Sequence, residues 1–167
     1  MAQVISRLGA DISTDVIYPG RYMATVLPTE TPQFAFADDA ALNGKLKSKQ
    51  VPPGSVIVAD KNFGCGSSRE QACSCLKGYE LTIVAKGFSR IFLQNSINLG
   101  LNLVTAPELE ASEGDELEVT GDSVVNKTTG KSFATVPLPK ARQAIIDAGG
   151  LIAYTRQRVM EAAGPRA

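Results

Sequence analysis

The sequence has no histidine and no tryptophan, and only three of its 167 residues are cysteine. Without histidine the chain cannot by itself build a Ser–His or Cys–His nucleophile, or a His-containing zinc site. Acid–base histidines, if its chemistry needs them, must come from another chain or a cofactor. The odd cysteine count argues against a disulfide framework. Cys65, Cys73 and Cys75 form a C-x7-C-x-C spacing that matches no common zinc or iron–sulfur pattern. Cys73 and Cys75 are expected to be small buried hydrophobes, and Cys65 an exposed thiol in a turn. An excess of one charge is missing too. Seventeen Lys and Arg balance seventeen Asp and Glu, which argues against non-specific affinity for nucleic acid or membranes. No apolar run approaches membrane-spanning length, and the chain reaches Arg7 without the apolar stretch of a signal peptide. A cytoplasmic protein is expected.

What is present reads as one α/β domain over residues 1–167 with β-rich flanks. Val4 to Leu8 forms a short strand, and Ser13-Thr14-Asp15 is a polar turn before the apolar run Val16-Ile17-Tyr18. From Met23 to Gln50 periodicity fades, with one short helix around Asp38 to Leu42. A connection this long tends to be a lid or binding loop, so residues 23–50 are expected to form a mobile substrate loop. Its Met23, Val26, Leu27, Phe34 and Phe36 need cover from their own domain, a ligand or a partner. Ser55 to Ala59 is a β-branched strand, followed by a helix to Lys77 and a second strand, Leu81 to Ala85. That length suits a parallel crossover. Ser89 then caps a helix ending at Gly100, with Ile91, Phe92, Asn95 and Leu99 on one face, before a third strand, Leu101 to Thr105. Residues 115–137 read as an antiparallel meander. Two helices close the chain over about 139–163, the last carrying Arg156 and Arg158 on its polar side.

The chemistry concentrates in Asn62-Phe63-Gly64-Cys65-Gly66-Ser67-Ser68-Arg69-Glu70, between the first crossover strand and its helix. Gly64 and Gly66 permit positive φ and close approach of another molecule. Ser67 has N-cap chemistry with Glu70 three residues on, and Ser68 offers the same pairing with Gln71. Three readings stay open on these residues alone. The plainest is a well-capped helix with no further role. The second is a phosphate cradle, although Walker spacing is absent. The third is a carboxylate site, in which Arg69 makes a bidentate contact and helix-terminal amides stabilise a serine alkoxide.

The same stretch resembles the signature of the swivel domain of the aconitase superfamily, above all its free-standing form, the small subunits of 3-isopropylmalate dehydratases. Asp11 to Ile17 with Pro19-Gly20-Arg21-Tyr22 is similar to that family's first motif. Ala85 to Phe92 and Asn95 to Leu101 are similar to its second-helix region. The resemblance implies an aconitase-type swivelling β/β/α domain of mixed parallel and antiparallel strands with flanking helices. It also implies a hydro-lyase acting on hydroxy di- or tricarboxylic acids. A [4Fe–4S] cluster, held by a large subunit and not by this chain, would bind the substrate hydroxyl. Ser67 would be the catalytic base, with Ser68 and Arg69 on substrate and Asp15 and Gly66 at the site edge.

Residues just after the Arg-Tyr pair tune substrate choice in this family, which places Ala24 and Thr25 against substrate. No cation occurs from Tyr22 to Leu27, and an unpaired buried carboxylate there would be costly. The resemblance therefore implies an apolar substituent at that position. Isopropylmalate of leucine biosynthesis fits best, with citramalate, dimethylmalate or a homoaconitate-type acid as alternatives. The family usually continues Arg-Glu with His-Ala, where this chain has Gln71-Ala72. A stand-alone anion-binding module is the reading from another class.

Overall fold

The computed structural model describes residues 1–163; the last four residues of the expected domain span lie outside the described residues. In chain order the elements are β1 (Ala2–Arg7), α1 (Thr14–Ile17), two 3-10 turns (Gly20–Tyr22 and Thr31–Phe34), α2 (Ala40–Lys47), β2 (Val56–Ala59), α3 (Glu70–Gly78) and β3 (Thr82–Ala85). They continue with α4 (Arg90–Leu99), β4 (Asn102–Thr105), β5 (Glu116–Val119), β6 (Ser123–Asn126), β7 (Lys131–Ala134), α5 (Lys140–Asp147) and α6 (Leu151–Ala163).

All seven strands join one sheet in the order β4-β3-β2-β1-β5-β6-β7. The β4-β3-β2-β1 half is parallel and the β5-β6-β7 half is an antiparallel meander. β1 joins the halves: it runs parallel to β2 and antiparallel to β5, with a bulge between Val4 and Ser6. The mixed α/β architecture is the expected one. The central position of the first strand is not visible locally, because it depends on which partners each edge finds.

Alternation along the parallel strands divides the interior into two cores. Ile57, Ala59, Ile83 and Ala85 face α1 to α4 together with Tyr18, Phe36, Phe63, Leu76 and Phe92. Val56, Val58 and Val84 face the other way, against Ala106, Leu109, Leu117 and Val124. β2 is buried along its whole length, as its β-branched run requires. Cys73 and Cys75 are fully buried in the first core, while Cys65 is half-buried.

Several local expectations change. The run at Val16 is helical, because Ser13 Oγ accepts the Val16 N–H and starts α1. On α4, Ser89 caps and left-handed Gly100 terminates as expected, but the buried face is Phe92, Ser96 and Ile97, and Ile91 is exposed. Residues 23–50 divide in two. Phe36, Leu42 and Leu46 are buried, and the Phe36 amide donates to Ile17 O at 2.8 Å. Met23, Val26 and Leu27 stay exposed. Arg156 lies on the same side of α6 as Leu151, Ile152, Val159 and Met160, so it is not on a separate polar face.

The meander carries one buried polar lock. The Asp115 carboxylate accepts the Ser112 amide and the fully buried Asn126 side-chain amide, each at 2.8 Å. These bonds hold its pKa below the ordinary 3.8, the Ser112 amide contributing most. A depressed carboxylate stabilises the fold above its unfolded pKa, and this is lost as pH falls through the folded value. The melting temperature should therefore fall as the pH drops below about 4. Asp115→Asn should lose about 1–2 kcal/mol at neutral pH and flatten that acid limb; melting curves from pH 7 to pH 3 check it.

Candidate active site

The glycine–serine turn lies beyond the C-terminal end of β2, the position where ligands bind in parallel sheets. It is held on both sides. The Gly64 amide donates to Ile12 O at 2.7 Å, and the Thr14 amide donates to Cys65 O at 2.8 Å. Opposite, Ser89 Oγ donates to Gly64 O at 2.6 Å and the Ser89 amide to Phe63 O at 2.9 Å. Gly64 takes φ +80°, and a Cβ there would lie under 3.0 Å from the Phe92 side chain. Only glycine fits. Gly66, at φ +93°, passes the turn under Thr14 and leaves Ser67 and Ser68 exposed.

Neither serine caps α3. The helix starts at Glu70 with Arg69 as its N-cap and no side-chain cap bond. The cause is the turn itself: Ser67 O accepts the Arg69 amide at 2.9 Å and the Thr14 hydroxyl at 2.9 Å, which carries the chain past both serines before the helix begins. Among the described residues the amides of Gly66, Ser67 and Ser68 donate to no backbone carbonyl. Thr14 Oγ1 also sits 3.3 Å from Ser67 Oγ. Thr14 itself is buried. Sequence reading did not single it out, because the pairing spans 53 residues.

Arg69 is on the same turn, but its guanidinium is already engaged. Nη1 donates to the Asp15 carboxylate and, at 3.1 Å, to Tyr18 O. The side chain is 13 % exposed and passes close over Gly20. Nε is buried and, among the described residues, has no hydrogen-bond acceptor. Asp15 lies against Arg69.

Tyr18 ties the second wall to the first. Its carbonyl takes Arg69, and its buried hydroxyl bonds Tyr22 O at 3.2 Å and Thr25 O at 3.3 Å. Burial pushes its pKa up, which keeps the hydroxyl a donor. Gln71 Nε2 donates to Met23 O at 3.2 Å. The Met23–Thr25 turn is therefore tied to the base of α3, with Ala24 exposed and Thr25 half-buried. Arg21 points elsewhere: it pairs with Asp38 and stacks on Tyr22, whose ring lies against Phe34 at 4.1 Å. No cation is supplied to this wall by its own residues 22–27.

Cys73 and Cys75 are buried thiols in the first core, away from solvent. Burial raises Cys73 to about 12 and Cys75 well above the ordinary thiol range, and Cys73 Sγ donates to Phe92 O at 3.7 Å. Among the described residues no group of three or more His, Cys, Asp or Glu is placed to hold a metal ion.

Residues 10–108 match the family model of the aconitase C-terminal domain. The chain is 40% identical over 159 residues to the 3-isopropylmalate dehydratase small subunit of Thermodesulfovibrio yellowstonii, covering 92% of each. It is 42% identical to that of Heliobacterium modesticaldum, covering 93% of this chain and 94% of the relative. It is also 40% identical to the isopropylmalate/citramalate isomerase small subunit of Methanocaldococcus jannaschii, covering 93% of each. The crystal structure of the Methanocaldococcus jannaschii 3-isopropylmalate dehydratase LeuD superposes with a TM-score of 0.84 at 34% identity, covering 96% of each chain. The chain belongs to the aconitase family, in its branch of 3-isopropylmalate dehydratase small subunits.

Proposed function

We propose that this chain is the small subunit of a cytoplasmic hydro-lyase that interconverts 2- and 3-isopropylmalate in leucine biosynthesis. It works only with a large subunit, which brings the [4Fe–4S] cluster. The observation that carries the reading is the exposed Ser67 hydroxyl, set 3.3 Å from Thr14 Oγ1 on a turn whose Arg69 keeps an unpaired, buried Nε. In this scheme Ser67 Oγ takes the proton from the carbon beside a substrate carboxylate. Hydroxide leaves the adjacent carbon with its bonding electrons and an alkene forms; water then adds back with the two positions exchanged.

A serine needs stabilisation as an alkoxide. The unpaired amides at the lip of α3 and the partial positive charge of its N-terminus supply part of it. Thr14 supplies more: its single proton points at Ser67 O in the resting turn, and rotation of the hydroxyl redirects it to Ser67 Oγ. The Arg69 guanidinium and the Ser68 hydroxyl take the substrate carboxylate, while Asp15 and Tyr18 O hold the guanidinium in place through Nη1. Gly66 allows the close approach. Ala24 and Thr25, flanked by Met23, Val26 and Leu27, receive the isopropyl group. A carboxylate in its place would be desolvated without a cation, at a cost of several kcal/mol.

The test mixes the purified chain with the 3-isopropylmalate dehydratase large subunit of the same organism and follows the absorbance of the alkene. Turnover should require both chains. Isopropylmalate should be preferred to citramalate, and both to a tricarboxylate such as homocitrate, by at least about 10² in kcat/KM. A preference for the tricarboxylate, or no turnover by the pair, overturns the proposal.

A further inference from the structure

We propose that the outer face of α6, with the groove that joins it to the Val26–Pro28 turn, is a docking surface for the large subunit. This rests on the two-subunit reading above. A thirteen-residue helix is marginal in water without a packed face, yet α6 has no buried residue. Leu151, Ile152, Val159 and Met160 are 41, 78, 62 and 67% exposed and form one stripe. Scattered apolar residues are ordinary on a surface, whereas a contiguous stripe along one helix marks an interaction site.

The base of this helix is fixed, not loose. Left-handed Gly100 packs on the Gly149-Gly150 backbone, where a Cβ would lie 2.7 Å from Gly150 N. Gly150 packs in turn on Asn98 O, also at 2.7 Å from a notional Cβ. Lys77 Nζ donates to both Leu99 O and Gly149 O, which ties α3, α4 and the start of α6 together. The sequence spends three glycines and a half-buried lysine to hold α6 in one orientation while leaving its face uncovered. A rigid, uncovered apolar helix is built to meet something.

Two observations select the occupant. First, a groove of about 410 Å³ runs from Ile152 and Ala153 past Ser74 and Lys77 to Pro28, beside the exposed Val26 and Leu27 of the candidate substrate wall. A chain that covers the Met23–Leu27 turn is thereby brought to the Pro28 end of this groove. Second, Arg156 sits within the apolar stripe, and among the described residues no carboxylate pairs with it. A second copy of this chain is disfavoured. The stripe is centred between Thr155 and Arg156, so a twofold antiparallel pair would bring the two arginines together with no acid between them. The matching partner surface is apolar with a carboxylate near its middle, and a buried arginine anchor of this kind commonly dominates binding energy.

The experiment co-expresses the chain with the 3-isopropylmalate dehydratase large subunit of the same organism. It measures the dissociation constant by interferometry and turnover at saturating small subunit. Ile152→Glu/Val159→Glu and, separately, Arg156→Glu are compared with the unmodified chain. Glutamate is a good helix former, so α6 should persist; circular dichroism and the melting temperature verify this. The expected result is affinity weakened by about tenfold or more, with kcat at saturation retained within about twofold. Unchanged affinity for folded variants overturns the docking surface and leaves the functional proposal standing. Loss of self-association alone, seen by sedimentation, overturns it as well. An unmodified chain that binds no large subunit overturns the functional reading itself, and this surface with it.

Discussion

Ser67→Ala, assembled with the large subunit, should lower isopropylmalate turnover by about 10²–10⁴-fold, the usual contribution of a positioned base. KM should change little. The hydroxyl is exposed at the lip of the turn, and the bonds that shape the turn use the Ser67 carbonyl, not the hydroxyl. Removing Oγ therefore leaves the loop, the Arg69 carboxylate anchor and the outer surface of the chain intact. Assembly should be unaffected, which a co-purification control reads directly. Thr14→Val is the companion change. It removes both the brace on Ser67 O and the hydroxyl beside Ser67 Oγ, so it should lower kcat by less than Ser67→Ala does and cost some stability. If Ser67→Ala turned over normally, the base would lie elsewhere.

Gly64→Ala should be strongly destabilising, costing about 3 kcal/mol or more. Two independent penalties add. The residue sits at φ +80°, where an L side chain is strained, and its Cβ would overlap the Phe92 ring, which is itself packed against Phe63 at 5.3 Å and fully buried. Phe92 has no room to move. Urea denaturation should show the loss directly, and the turn that carries Ser67 should be displaced with it. Gly54→Ala is the internal control: it has a similar φ of +80° but nothing within 4 Å, so it should cost only about 1 kcal/mol.

How much of this was legible in the chain depends on the range of the interaction. β2, β3 and the helices after them follow from local rules: buried β-branched runs, a serine cap at Ser89 and a glycine stop at Gly100. The turn that carries the candidate site was legible for the same reason, since glycines followed by serines after a buried strand mark a close-approach turn. Its internal geometry was not. Thr14 meets Ser67, and Asp15 meets Arg69, across more than fifty residues. The serine caps failed because a capping box is a local pattern, and Thr14 on Ser67 O helps carry the chain one turn further before α3 starts. Arg156 was misplaced for the opposite reason. An arginine on an amphipathic helix is ordinarily assigned to water, and only the anchored helix shows that it shares the apolar stripe.

Solvent exchange reads whether Ser67 moves the carbon-bound proton. In deuterium oxide, the assembled enzyme should incorporate deuterium at the carbon beside the carboxylate of isopropylmalate. The Ser67→Ala complex, shown to be assembled and to bind substrate, should incorporate it at least about 10²-fold more slowly. Incorporation at the unmodified rate by that complex would contradict the account.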